Sequence, residues 1–199
     1  MDAVDELIRS QGIDRVSMTD VANAAGITRT ALYNYFPDKP ALLLAFTEQV
    51  NSEFVERYKR ELPSGVSAAR RLSAFVRLQL EGIVAHPHPP AAELGASLGP
   101  DAYQALAAHV APMQRLLTEI LEEGTGAGEF DPLPAERVAG LTLSMVGSQR
   151  LPLVNGDIDL NGTHELVTRF VLRALGVAPE TVDTILPKRH GDTTQGAES

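Results

Sequence analysis

The chain contains no cysteine and no tryptophan, and only six Phe and four Tyr among 199 residues. Without cysteine there are no disulfides and no thiolate zinc or redox centres. No apolar run reaches the roughly 20 residues that cross a bilayer, so no membrane partner is expected. The first residues, "MDAVDELIRSQG", lack the basic and apolar blocks of a signal peptide; the expected location is the cytoplasm. Positive charge is also scarce. The net charge is −9, and the first fifty residues set four basic side chains against seven carboxylates. Global charge therefore works against nucleic acid as a partner, and such a role has to rest on local geometry.

What is present is helical periodicity. Extended Val/Ile/Thr alternation is missing, and apolar residues recur at three- and four-residue spacing nearly throughout. The pattern predicts an all-α fold of about nine helices, three short ones followed by a larger bundle. Val4, Leu7 and Ile8 stripe a first helix ending at Gly12. Ser17 is placed as an N-cap, with Asp20 as its capping-box acid, and Val21, Ala22 and Ala25 as the buried face. Gly26 closes this second helix, with Ile27 expected to plug the turn. Thr28 caps a third helix running to about Phe36, and a fourth begins near Lys39. From the fourth onward, helices are expected over 39–62, 66–85, 91–98, 101–123, 135–151 and 162–175. "PSG" (63–65), "HPHPP" (86–90) and "GTGAGEFDPLP" (124–134) read as breaks. The stretch 187–199 has no apolar content and reads as a disordered tail.

Helix, glycine turn and helix in this order are a helix-turn-helix pattern, in which the second helix presents its N-terminal residues to the major groove. At about 100° per residue, Leu32 and Phe36 share one edge of the third helix and point inward. Arg29, Thr30, Tyr33 and Asn34 share an outward polar arc, flanked by Ala31 and Tyr35. Arginine forks to guanine edges, and the amphipathic tyrosines reach phosphate or a thymine methyl. Thr19 and Lys39 stand at two further helix starts, where backbone amides favour phosphate.

Residues 10–43, "SQGIDRVSMTDVANAAGITRTALYNYFPDKPALL", resemble the DNA-binding signature of the TetR family of bacterial transcriptional regulators. The likeness lies in the hydrophobic spacing, the turn glycine, the Leu-Tyr pair, the Tyr-Phe close and the following lysine. Beyond residue 46 it extends only to the number and layout of helices. The resemblance implies DNA contacts at Thr19, Arg29, Thr30, Ala31, Tyr33, Asn34, Tyr35 and Lys39. It implies a DNA-binding domain over 1–46 and a domain over 47–186 that binds a small-molecule effector and forms a homodimer. It further implies a near-palindromic double-stranded operator, and repression relieved by the effector. Two departures stand out: relatives carry a basic arm and a longer first helix, and Ala31 replaces a common hydroxyl residue.

For the effector, the mixed polar and aromatic positions Tyr58, Phe75, Gln79, His109, Met113 and Gln149 are the candidates. For the dimer seam, Leu141, Met145, Leu166 and Phe170 lie on the two amphipathic helices that close the chain. No enzyme is expected, because neither a nucleophile elbow nor a phosphate-binding glycine loop occurs. No cofactor or metal is expected either: His86 and His88 alternate around a proline, His109 is isolated, and the i, i+4 pairing of a zinc helix is missing. The rival reading is a ligand-binding or interaction protein on the same scaffold that does not bind DNA.

Overall fold

The computed structural model describes residues 2–12, 15–85 and 100–186, with side-chain detail except at 47, 51 and 100–110. The expected break at 86–90, the helix at 91–98, the tail at 187–199 and the side chain of His109 lie outside the described residues. The fold is all-α. Its described helices are α1 (Asp2–Gln11), α2 (Met18–Ala24), α3 (Arg29–Tyr35), α4 (Lys39–Glu61), α5 (Ala68–Ala85), α6 (Pro100–Gly126), α7 (Ala135–Ser148), α8 (Arg150–Asn155), α9 (Leu160–Ala174) and α10 (Pro179–Ile185).

Two hydrophobic cores organise these helices. The first joins Val4 and Ile8 of α1, Val21 and Ala22 of α2, Leu32 of α3, and Leu42, Leu43, Phe46 and Val50 of α4. The second is larger and is centred on α5, where Leu72, Phe75, Val76 and Leu80 are fully enclosed. Around α5 pack α4, α6, α7, α8, α9 and α10. The single helix α4 serves both cores, Phe46 and Val50 in the first and Tyr58 in the second. Phe54 lies between them and packs against each. It meets α5 at Gly82, where an added Cβ would collide with the Phe54 ring.

Three helix boundaries differ from the sequence expectation. The expected helix 135–151 is split into α7 and α8 at Gln149. Pro152 has no N–H for the Ser148 carbonyl, and its ring would clash there; α7 therefore stops at Ser148. Counted as one kinked helix, α7 and α8 bring the described helices to nine. The glycine-rich 124–134 stretch is helical as far as Gly126. Gly124 lies inside this helix, and the Phe130 ring and Ala68 occupy the space that a side chain there would need. Finally, α10 was not anticipated. Gly176, at φ +82°, ends α9, the Val177 amide closes the turn onto the Leu172 carbonyl at 3.0 Å, and Pro179 then starts α10. Buried Val182 and Leu186 anchor it.

Candidate nucleic-acid interface

Local chemistry sets α2 and α3 firmly. The Ser17 hydroxyl oxygen accepts from the Asp20 amide at 3.2 Å, and the Asp20 carboxylate accepts from the Ser17 amide at 3.0 Å. This reciprocal capping box satisfies two orphan donors, and the hydrogen bonds from Ser17 hold the Asp20 carboxyl below its usual range. After α2 the chain reverses at Gly26, with φ +67°, a left-handed conformation that costs glycine little. The Ile27 amide then returns to the Ala22 carbonyl at 3.0 Å. Thr28 caps α3 by accepting from the Ala31 amide at 3.1 Å. Asp38 caps α4 in the same way, accepting from the Ala41 amide at 2.8 Å.

These caps fix the rotation of α3. Leu32 is buried at 3% exposure and Phe36 packs on the first core. Arg29, Thr30, Tyr33, Asn34 and Tyr35 are all exposed, and Ala31 is half-buried. Tyr35 reaches 78% exposure, so it belongs to the surface. Arg29 places its guanidinium over the Tyr33 ring, 5.6 Å from the centroid, a cation–π contact that holds both side chains on the same arc. Thr19 is exposed in the first turn of α2, and Lys39 is half-buried at the first position of α4. Ile27 departs from expectation: at 41% exposure it sits on the outside of the turn, whose closure comes from its backbone amide.

Three of the seven carboxylates of the first fifty residues are engaged within their own helices or caps. Asp5 is paired with Arg9 at 2.7 Å. Asp20 and Asp38 are engaged at helix N-termini, where carboxylates are favoured by the helix dipole. Between Gly26 and Pro37 there is one arginine and no carboxylate. Residues 26–37 thus carry a net charge of +1 within a chain of net charge −9.

The effector candidates take different places. Tyr58 and Phe75 are both completely buried and stack with centroids 5.0 Å apart. Burial pushes the Tyr58 phenol well above its usual range, and its hydroxyl has no hydrogen-bond partner among the described residues. Met113 is buried, while Gln79 and Gln149 are half-buried. The Gln149 amide group donates to the Ser148 hydroxyl at 2.9 Å. None of these lines any of three described clefts, of about 440, 530 and 410 Å³. Of the seam candidates, Leu141, Leu166 and Phe170 are 69%, 67% and 60% exposed, and Met145 packs partly into the second core. One cluster escaped the sequence reading. His164 on α9 is hydrogen-bonded to Ser73 on α5, 91 residues away in the chain. No local spacing signals such a pair.

The described residues contain no group of three or more His, Cys, Asp or Glu arranged to hold a metal ion, and no helix among them is long and apolar enough to cross a membrane.

The architecture is a capped helix-turn-helix on a larger all-α bundle. Residues 1–46 match the family model of bacterial regulatory proteins of the tetR family. Solved structures carry the same fold over most of the chain's length. The FadR regulator of Bacillus subtilis, solved with stearoyl-CoA, superposes with a TM-score of 0.76 at 18% identity, covering 86% of this chain and 95% of that one. The fatty acid degradation regulator FadR of Bacillus halodurans gives 0.74 at 20% identity, covering 86% and 95%. RolR in complex with resorcinol gives 0.70 at 18% identity, covering 94% and 90%. No curated protein matches by sequence.

Proposed function

We propose that this chain is a homodimeric, effector-released repressor that reads DNA through α3. The observation that carries this reading is the division of α3. Leu32 is sealed in the first core, while Arg29, Thr30, Tyr33, Asn34 and Tyr35 face outward on a carboxylate-free segment. In the complex, Arg29 forks to a guanine edge, Ala31 offers apolar contact, and Thr30 and Asn34 face the bases. Tyr33, Tyr35, Thr19 and Lys39 hold the phosphates. Residues 1–46 form the DNA-binding domain and residues 47–186 the effector-binding and dimerising domain. Two copies meet through the exposed apolar faces of α7 and α9, at Leu141, Leu166 and Phe170, with Met145 beside them. The dimer sets two α3 helices in successive major grooves, roughly 34 Å apart.

The effector acts through α4. This helix is about 35 Å long at 1.5 Å per residue, and its first turns carry the DNA-binding core while Tyr58 sits in the second core. A ligand seated near Tyr58 and Phe75 favours a dimer with a different α3 spacing, and by linkage lowers affinity for the operator. The ligands of the structural neighbours, stearoyl-CoA for one and resorcinol for another, support a small or amphipathic organic effector. Selection of tight binders from random duplex DNA tests the reading. The expected product is an inverted repeat with half-sites one helical turn apart. Recovery of no preferred sequence, or of an unpaired half-site, contradicts it.

A further inference from the structure

We infer that the cleft between α5, α9 and α10 is a second ligand site, built for a small carboxylate with a short aliphatic body. This site is separate from the effector position near Tyr58 and Phe75, neither of which lines it, and its test does not depend on DNA binding. The cleft has a volume of about 440 Å³, within the roughly 300–1,000 Å³ of small-molecule pockets. Arg70, Ser73 and Arg77 reach it from one face of α5, His164 from α9, and Val66 and Ile185 supply apolar wall.

Three of the polar groups are positioned in advance. Arg77 donates to Glu81 at 2.8 Å and to Asn161 at 2.6 Å. The Nε2 of His164 lies 3.0 Å from the Ser73 carbonyl and 3.2 Å from its hydroxyl. A carbonyl only accepts, so Nε2 carries the proton and donates to it. Arg70 differs: it is exposed and makes no ion pair among the described residues. With Arg77 already matched to Glu81, the cleft offers one cation that is unmatched among the described residues, which suits a monoanion better than a phosphate dianion. The planar fork of arginine fits a carboxylate in particular. The apolar wall then takes a chain of a few carbons. The site also tolerates the proposed dimer. His164 is two residues from Leu166, about 200° round the helix, so it stands on the far side of α9 from the exposed apolar face.

The test is a titration of the full-length protein with hexanoate, followed by the ring resonances of His164. Hexanol and inorganic phosphate serve as the neutral and the bare-anion probes. Hexanoate is expected to shift the His164 resonances saturably, and hexanol and phosphate are expected to leave them in place. Arg70→Gln should weaken hexanoate by about tenfold, the loss of a charge-assisted hydrogen bond, with an unchanged thermal melt. Ala74→Phe, which fills the cleft without altering charge, should abolish the shift. The inference is overturned if hexanoate leaves His164 unmoved, if Arg70→Gln binds it as well as wild type, or if phosphate competes equally.

Discussion

The two cores of this molecule encode different things. The first is small and is framed by caps: Ser17 with Asp20, Thr28, and Asp38 each satisfy backbone amides within three residues of themselves. Its purpose is to hold one short helix, α3, at a fixed rotation. The second core is built from contacts between residues far apart in the chain. Glu129 accepts from the Ala68 and Ala69 amides at 3.1 Å and so caps α5 across sixty residues. Here the helices enclose aromatic and aliphatic side chains and leave apolar faces at α7 and α9 uncovered. The difference teaches that the surface proposed to read DNA is specified by local rules, whereas the surfaces proposed to sense and to assemble are specified by tertiary packing.

Substitutions can break or sharpen that contrast. The largest effect belongs to the second core: Leu72→Ala removes a fully buried side chain and should cost about 2–5 kcal/mol, read as a lowered midpoint in thermal or urea unfolding. An unchanged midpoint would mean that α5 is not the centre of the bundle. A smaller effect is expected at the first core, where Ser17→Ala removes the capping hydroxyl and should cost about 1 kcal/mol. Hydrogen exchange should show that loss concentrated at the α2 amides, and a uniform change across α5 and α9 would contradict the local character of the first unit.

The smallest effect is one of pH. Burial lowers the His164 pKa from its ordinary 6.5, partly offset by the Ser73 carbonyl, with Arg77, Glu81 and Glu165 as the charged groups acting on it. A depressed histidine favours the folded state while the ring is neutral. That stability is present above the ordinary value and is lost as pH falls through the lowered one. Thermal midpoints taken from pH 8 to pH 5 should therefore fall more steeply for wild type than for His164→Gln, and parallel curves would show that His164 is not linked to folding.

The same contrast explains how much could be read from the sequence. The capping box, the Gly26 reversal, the Thr28 cap and the inward Leu32 are signals within a few residues of one another, and the structure has each of them. The exposure of Ile27 was not legible, because its amide and not its side chain closes the turn. The helix break at Gln149 was in principle legible, since Pro152 faces the Ser148 carbonyl four residues back. The close packing at Gly124 was not, because it comes from Phe130 and Ala68 folding over it. The Ser73–His164 pair and the Glu129 cap needed the tertiary fold. The roles assigned to Tyr58, Phe75 and the faces of α7 and α9 follow from a family likeness that the sequence carries densely in the first 46 residues and thinly afterwards.

The central claim is that the outward arc of α3 reads DNA despite the acidity of the chain. It is tested most directly by fluorescence anisotropy against the DNA flanking the protein's own gene, across a salt series, for wild type, Arg29→Ala and Lys39→Ala. Wild type should bind one fragment over random DNA, and affinity should fall steeply with salt through counterion release. Arg29→Ala should lose about 1–3 kcal/mol of discrimination between fragments, while Lys39→Ala should weaken all fragments alike. Binding that ignores sequence in the wild type, or a sequence preference that survives Arg29→Ala intact, would contradict the account.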